Sequence, residues 1–177
     1  MPNTATFVRD RQLAQPSADD RSSASFCRAR NSARCVSVAG FPHAVLATGE
    51  ETAGRYAAVE IIVPQRGPPP HTHTCEDECF YVLQGELEFM MDGQTQRAGA
   101  GTLVHAPRYM EHTFRNAGRT PARVLVWITP AGLERCFLEI GDPLPPNARE
   151  GVPATPEHIA RLLAAAPEYG VRFRTPS

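Results

Sequence analysis

From residue 36 to about residue 130 the chain is cut into short extended runs, each closed by glycine, proline or an Asp-Gly pair. That punctuation constrains its fold more than any other feature. RYAAVEIIV alternates, with Tyr56, Ala58, Glu60 and Ile62 on one face and Ala57, Val59, Ile61 and Val63 on the other. ECFYVLQGELEFMMDGQTQRAGAG reads as a strand, a turn at Gly85, a second strand and then Asp92-Gly93, a strong hairpin signal. TLVHAP is another short strand, and HTFRNAGRTPARVLVWIT gives two strands about a turn at Ala117-Gly118. Roughly eight strands at this spacing predict an all-β sandwich or barrel over residues 36–140.

The flanks have a different pattern. Residues 1–35 are polar, rich in Ser, Arg and Asp, and show no period, so they are expected to form a partly disordered arm. Residues 141–177 are expected to form a loop and a helix that packs on the barrel. GLERCFLEIG suits a short helix just before them. Thr155 then offers an N-cap and Pro156 a first helical position. Ile159, Leu162, Leu163 and Ala166 form the apolar stripe of that helix, and Gly170 ends it.

The totals exclude several classes. A chain of 177 residues suits one domain with a real core. A formal net charge of -1 gives no electrostatic case for nucleic acid or an anionic membrane. Arginine supplies all 18 basic side chains, so no lysine is available for Schiff-base chemistry. No apolar run approaches the roughly 20 residues that span a bilayer. The first residues lack the apolar middle of a signal peptide, which with five cysteines, an odd count, points to a cytoplasmic chain without a disulfide framework. There is no GxSxG for nucleophilic hydrolysis and no helix-turn-helix.

Of only six histidines, two stand at His71 and His73, directly after three prolines. Residues two apart on a strand share a face, so both imidazoles aim together. Glu78 is an odd number of residues further on, and a turn or bulge in TCED is needed to bring it to the same side. His112 opens HTFRN and must arrive from a separate strand. Three imidazoles and one carboxylate suit one divalent transition ion such as Mn, Fe, Co, Ni, Cu or Zn far better than Mg or Ca. Four protein ligands leave a position open, which marks a catalytic rather than a structural site.

HTHTCEDECFYVLQG resembles the first motif of the cupin superfamily: His-x-His, four residues, Glu, six residues, Gly. GTLVHAPRYMEHTFRN resembles the second, through Gly101, Pro107, His112 and Asn116. Two positions depart from the pattern. Gly67 lies closer to His71 than usual, and Tyr109 stands where a glycine is common. The resemblance implies a cupin fold, a double-stranded β-helix or jelly-roll-like antiparallel barrel with short C-terminal helices. It also implies that His71, His73, Glu78 and His112 bind a metal inside it. More narrowly, the two motifs, TPAGLER and the tail EHIARLLAAAPEYGVRF are similar to bacterial single-domain cupins of the quercetin 2,3-dioxygenase-like kind.

The expected function is therefore a metal-dependent oxidoreductase, a dioxygenase acting with dioxygen on a flavonol-like or other enolisable or aromatic hydroxyl substrate. Glu78 is its candidate catalytic base. Two alternatives stay open: a non-oxidative isomerase, cyclase or decarboxylase of natural-product metabolism, and a cupin that binds small molecules without turnover. A homodimer is expected, because pairing sheets covers strand edges. The remaining polar candidates read as ordinary. His105 is expected to be structural, and His43 and His158 to be surface or cap residues. Glu76 and Asp77 read as solvated turn carboxylates, and Cys75 and Cys79 as small packing residues. Glu60 is equally suited to the pocket or the surface. Tyr56, Phe80, Met90, Phe114 and Trp127 are candidates for an apolar pocket wall.

Overall fold

The structure, a computed structural model, describes residues 24–174. Residues 1–23, most of the expected arm, lie outside the described residues. Twelve strands and two α-helices are described, and the strands form two antiparallel sheets.

The larger sheet runs β11-β1-β2-β3-β10-β5-β8. Its members are β1 (Arg34–Val38), β2 (Phe41–Ala47), β3 (Ala57–Val63), β5 (Asp77–Gln84), β8 (Leu103–Ala106), β10 (Ala122–Thr129) and β11 (Asp142–Leu144). The smaller runs β12-β4-β9-β6-β7. It holds β4 (His71–His73), β6 (Glu86–Met91), β7 (Gln94–Gly99), β9 (His112–Asn116) and β12 (Val171–Phe173). Helix α1 (Leu133–Ile140) follows β10, and α2 (Pro156–Ala165) precedes β12.

The hairpin at Asp92-Gly93 joins β6 to β7, with both residues in the left-handed region at φ 45° and 79°. That is the two-residue turn whose twist matches the strands it joins. The inward residues of both sheets make one core. At its centre Phe80, Phe89 and Phe114 pack with ring centroids 5.3–5.7 Å apart. Tilted aromatic contacts of this kind add to the burial of their apolar area.

Both departures from the motif pattern have a structural account. Gly67 is pressed against β9, where an added Cβ would lie 1.3 Å from the Phe114 carbonyl oxygen. Tyr109 takes φ 68°, the left-handed conformation a glycine adopts freely, and its side chain is exposed. Its amide donates to the His73 carbonyl at 2.7 Å, so the turn fastens the loop to β4. Asn116 closes the other end of β9. Its side-chain nitrogen donates to the carbonyls of Val63, Pro64 and Thr120, and its oxygen accepts from the Gly118 amide.

The C-terminal region adds two strands that no periodicity announced. β11 pairs with β1 and β12 with β4, placing Phe173 opposite His71. In α2, Thr155 caps the first turn by accepting from the His158 amide, while His158 Nδ1 accepts from the Thr155 amide. The helix itself stops at Ala165. A 3-10 turn, Ala166–Tyr169, carries the chain to Gly170, whose φ of 75° ends it.

Candidate metal centre

His71, His73, Glu78 and His112 are all buried, and one ligand atom from each lies within 4.8 Å of the others. Three strands bring them together. β4 sends both of its histidines to one side, and β9 places His112 directly opposite His71. The chain turns through Thr74–Glu76 and enters the other sheet as β5, which returns Glu78 to the same interior. A change of sheet, rather than a bulge, resolves the odd spacing between His73 and Glu78.

Each imidazole is held from behind. His71 Nδ1 donates to the Pro69 carbonyl at 2.8 Å, and His112 Nδ1 to the Met110 carbonyl at 3.2 Å. His73 Nδ1 contacts Glu76 Oε1 at 2.5 Å. With Nδ1 engaged on all three rings, Nε2 is the nitrogen left for the interior. Partners of this kind fix the ring orientation and tautomer of metal-binding histidines. Glu78 Oε2 lies 3.1 Å from His73 Nε2 and 3.0 Å from His112 Nε2.

The electrostatics of the cluster follow from burial and from that carboxylate. Burial, helped by the charges of His112 and His73, lowers the His71 pKa to about 4. Burial also opposes a proton on His73, but Glu78 and Glu76 outweigh it and raise the pKa to about 10. For Glu78 the cost of burying a charge is outweighed by His73 and His112, which hold its carboxyl well below the usual carboxylate range. The donor set fits a divalent transition ion. His73 Nε2 makes the fit specific: it is buried without a hydrogen-bond partner, although the Glu78 carboxylate stands beside it. A cation among these atoms would satisfy it.

The cluster opens on a cavity of about 410 Å³. His71, His73 and Glu78 form its polar end, and Phe41, Ile61, Phe80 and Phe114 belong to its apolar wall. Helix α1 adds Leu133 and Phe137, and α2 covers one side with Ile159, Leu162 and Leu163. Phe173 packs on His71 at 5.5 Å between ring centroids. Of the aromatics expected in the wall, Phe80 and Phe114 are there. Tyr56 and Trp127 are exposed on the outside of the larger sheet, and Met90 lines a separate groove on the smaller one.

Three sequence readings are corrected. His43 is not a surface residue: it is 6% exposed and lines the cavity. Its strand is covered on both sides, which hides the usual alternation. Glu76 is not solvated but 3% exposed, folded back beneath His73 by the turn it belongs to. Glu60 is neither in the pocket nor on the surface. It is buried on the outer side of β3, where Arg30 and Arg123 pair with it at 2.8 and 3.0 Å. His105 is exposed, with Nδ1 3.3 Å from Cys79 Sγ on the outer face, and Cys75 lies in the exposed turn.

Among the described residues no helix is long and apolar enough to cross a membrane. Residues 58–128 match a family model described as Cupin domain. The chain is similar to quercetin 2,3-dioxygenase from Bacillus subtilis, 29% identical over 106 residues, which is 57% of this chain and 30% of that protein. It is also similar to the polyketide synthase CurC of Streptomyces cyaneus, 34% identical over 77 residues, or 42% of this chain and 49% of the relative. The chain thus spans less than half the length of these two relatives. Among solved structures, a predicted oxalate decarboxylase from Thermotoga maritima superposes with a TM-score of 0.56 at 20% identity, covering 59% of this chain and 99% of the other. The polyketide cyclase RemF from Streptomyces resistomycificus gives 0.53 at 24%, covering 60% and 80%. These structural likenesses establish the fold alone.

Proposed function

We propose that this chain is a metal-dependent enzyme of the cupin superfamily acting on an apolar molecule that carries an acidic hydroxyl. The observation that carries this reading is the convergence of four buried ligand-type side chains at the polar end of an apolar cavity. His71, His73, Glu78 and His112 would hold the ion. When bound, a divalent transition metal would supply Lewis-acid stabilisation of the substrate anion and, where its redox state allows, reactivity with dioxygen.

Glu78 accepts the hydroxyl proton in this reading. Its carboxyl is held in the ionised form by His73 and His112, so it stands ready as an acceptor but is intrinsically a weak base. Deprotonation therefore depends on stabilising the substrate anion as strongly as the carboxylate itself is stabilised. The apolar walls exclude water from the reacting end and favour flat, ring-bearing substrates. A dioxygenase acting on flavonol-like substrates, in a cytoplasmic homodimer, is the first form of the proposal. It is supported by the likeness to the Bacillus subtilis enzyme. A non-oxidative enzyme acting on polyketide-like substrates, such as a cyclase, is the second, and the likeness to the polyketide synthase CurC supports that substrate class.

Oxygen uptake separates the two forms. Metal-loaded protein incubated with flavonols should consume dioxygen in step with product. Product formed under strict anaerobiosis would instead favour the non-oxidative form. Absence of turnover with both flavonols and polyphenolic polyketides would remove both.

A further inference from the structure

Away from the metal cluster two polar side chains line the cavity: Arg66, which is exposed at its edge, and His43, which is buried among apolar neighbours. His43 stands on β2 beside Phe41, with Ile61 opposite it on β3, and its ring packs on Phe137 with centroids 4.8 Å apart. It belongs to none of the elements that carry the metal cluster. Its Nδ1 lies 2.8 Å from the Phe41 carbonyl oxygen, which can only accept, so Nδ1 carries the hydrogen. A neutral ring then bears its lone pair on Nε2. Among the described residues no hydrogen-bond partner takes that nitrogen. Burial, against the pull of the Phe41 carbonyl and of Glu78, lowers the pKa to about 4, so the ring is neutral near pH 7. The ring is buried, but Nε2 is not one of the fully enclosed unpaired atoms, so it stays open to a ligand in the cavity.

We propose that His43 is a specificity-determining residue: its Nε2 accepts a hydrogen bond from a second substrate hydroxyl, remote from the one held at the metal cluster. The chemistry selects a donor. A hydroxyl can give its proton to the lone pair, a methyl ether cannot, and a carboxylate would set its own lone pairs against it. The substrate class becomes an apolar, ring-bearing molecule with two separated hydroxyls. The proposal rests on the cavity being the substrate site, but not on the metal.

Naphthalenediol isomers and their monomethyl ethers test it, because each pair shares one hydroxyl and differs only in whether the far oxygen can donate. Dissociation constants would be measured on the full chain, both metal-free and zinc-loaded. Wild type should prefer at least one diol over its ether by about tenfold, the size of one buried hydrogen bond. His43→Phe should abolish that preference at unchanged zinc content. His43→Gln, which returns an acceptor oxygen, should recover part of it. A preference of equal size in His43→Phe, or none in wild type, overturns the role of His43 while leaving the metal reading intact. Failure of wild type to bind any of the probes overturns it together with the reading of the cavity.

Discussion

At Glu76 one carboxylate would govern how well His73 serves the proposed metal centre. The hydrogen bond to Nδ1 fixes the ring and makes Nε2 more basic. Glu76→Gln should weaken metal binding by about 10–100-fold, the usual cost of losing such a partner, as read by competition with a chelator of known affinity. Glu78→Gln should behave differently. Turnover should fall by at least about 100-fold because the proton acceptor is gone. The amide oxygen and three imidazoles should still retain the ion better than any His→Ala variant. The raised pKa of His73 adds a pH dependence. The metal-free ring holds a proton until about pH 10, and binding must expel it, so affinity should rise by about tenfold per unit as pH rises below that value. In the metal-free chain the same proton stabilises the fold below pH 6.5, and that contribution is lost as pH climbs through about 10. The convergence of the four side chains was legible because His-x-His on a strand fixes a shared face and the two motifs fix the rest. Glu76 was not, since only the path of its turn distinguishes a buried carboxylate from a solvated one. His43 was hidden by a strand buried on both sides.

At the level of elements, turn chemistry was the most legible feature. Asp92-Gly93 and Gly85 stand where backbone in the left-handed region is required, and both positions end strands. Less legible was Gly67, whose role comes from a neighbour distant in sequence. Gly67→Ala should cost at least about 2 kcal/mol, because its Cβ meets backbone that cannot move aside, and thermal denaturation would measure the loss. The segment before β1 is anchored by a second such long-range contact. Arg28 forms two hydrogen bonds to Glu51, and chiefly through them the Glu51 pKa falls from 4.5 to about 2. A depressed carboxyl stabilises the fold above pH 4.5, and the contribution disappears as pH falls towards 2. Partial exposure of the pair keeps the effect modest. Glu51→Gln should therefore lower stability near pH 7 and leave it nearly unchanged near pH 2.

Across the whole molecule, the two ends of the described chain finish what the middle begins. The central strands could be read from alternation and turns, but β11 and β12 are three residues each, too short to show a period. Their place is set by what they cover: β11 extends the larger sheet beyond β1, and β12 brings Phe173 over His71. Between them α2 leaves Ile159 and Leu163 partly exposed at the cavity, so a substrate that fills it gains contact with the helix as well as with the barrel. The four-ligand centre is the claim on which the enzymatic reading depends, and metal stoichiometry tests it most directly. Purified chain stripped of metal, reloaded with Mn, Fe, Co, Ni, Cu or Zn in turn and desalted, should retain one equivalent of at least one ion. The double variant His71→Ala/His112→Ala should retain none while keeping the wild-type circular dichroism spectrum. Wild type that holds no ion, or a folded double variant that holds as much as wild type, would contradict the account.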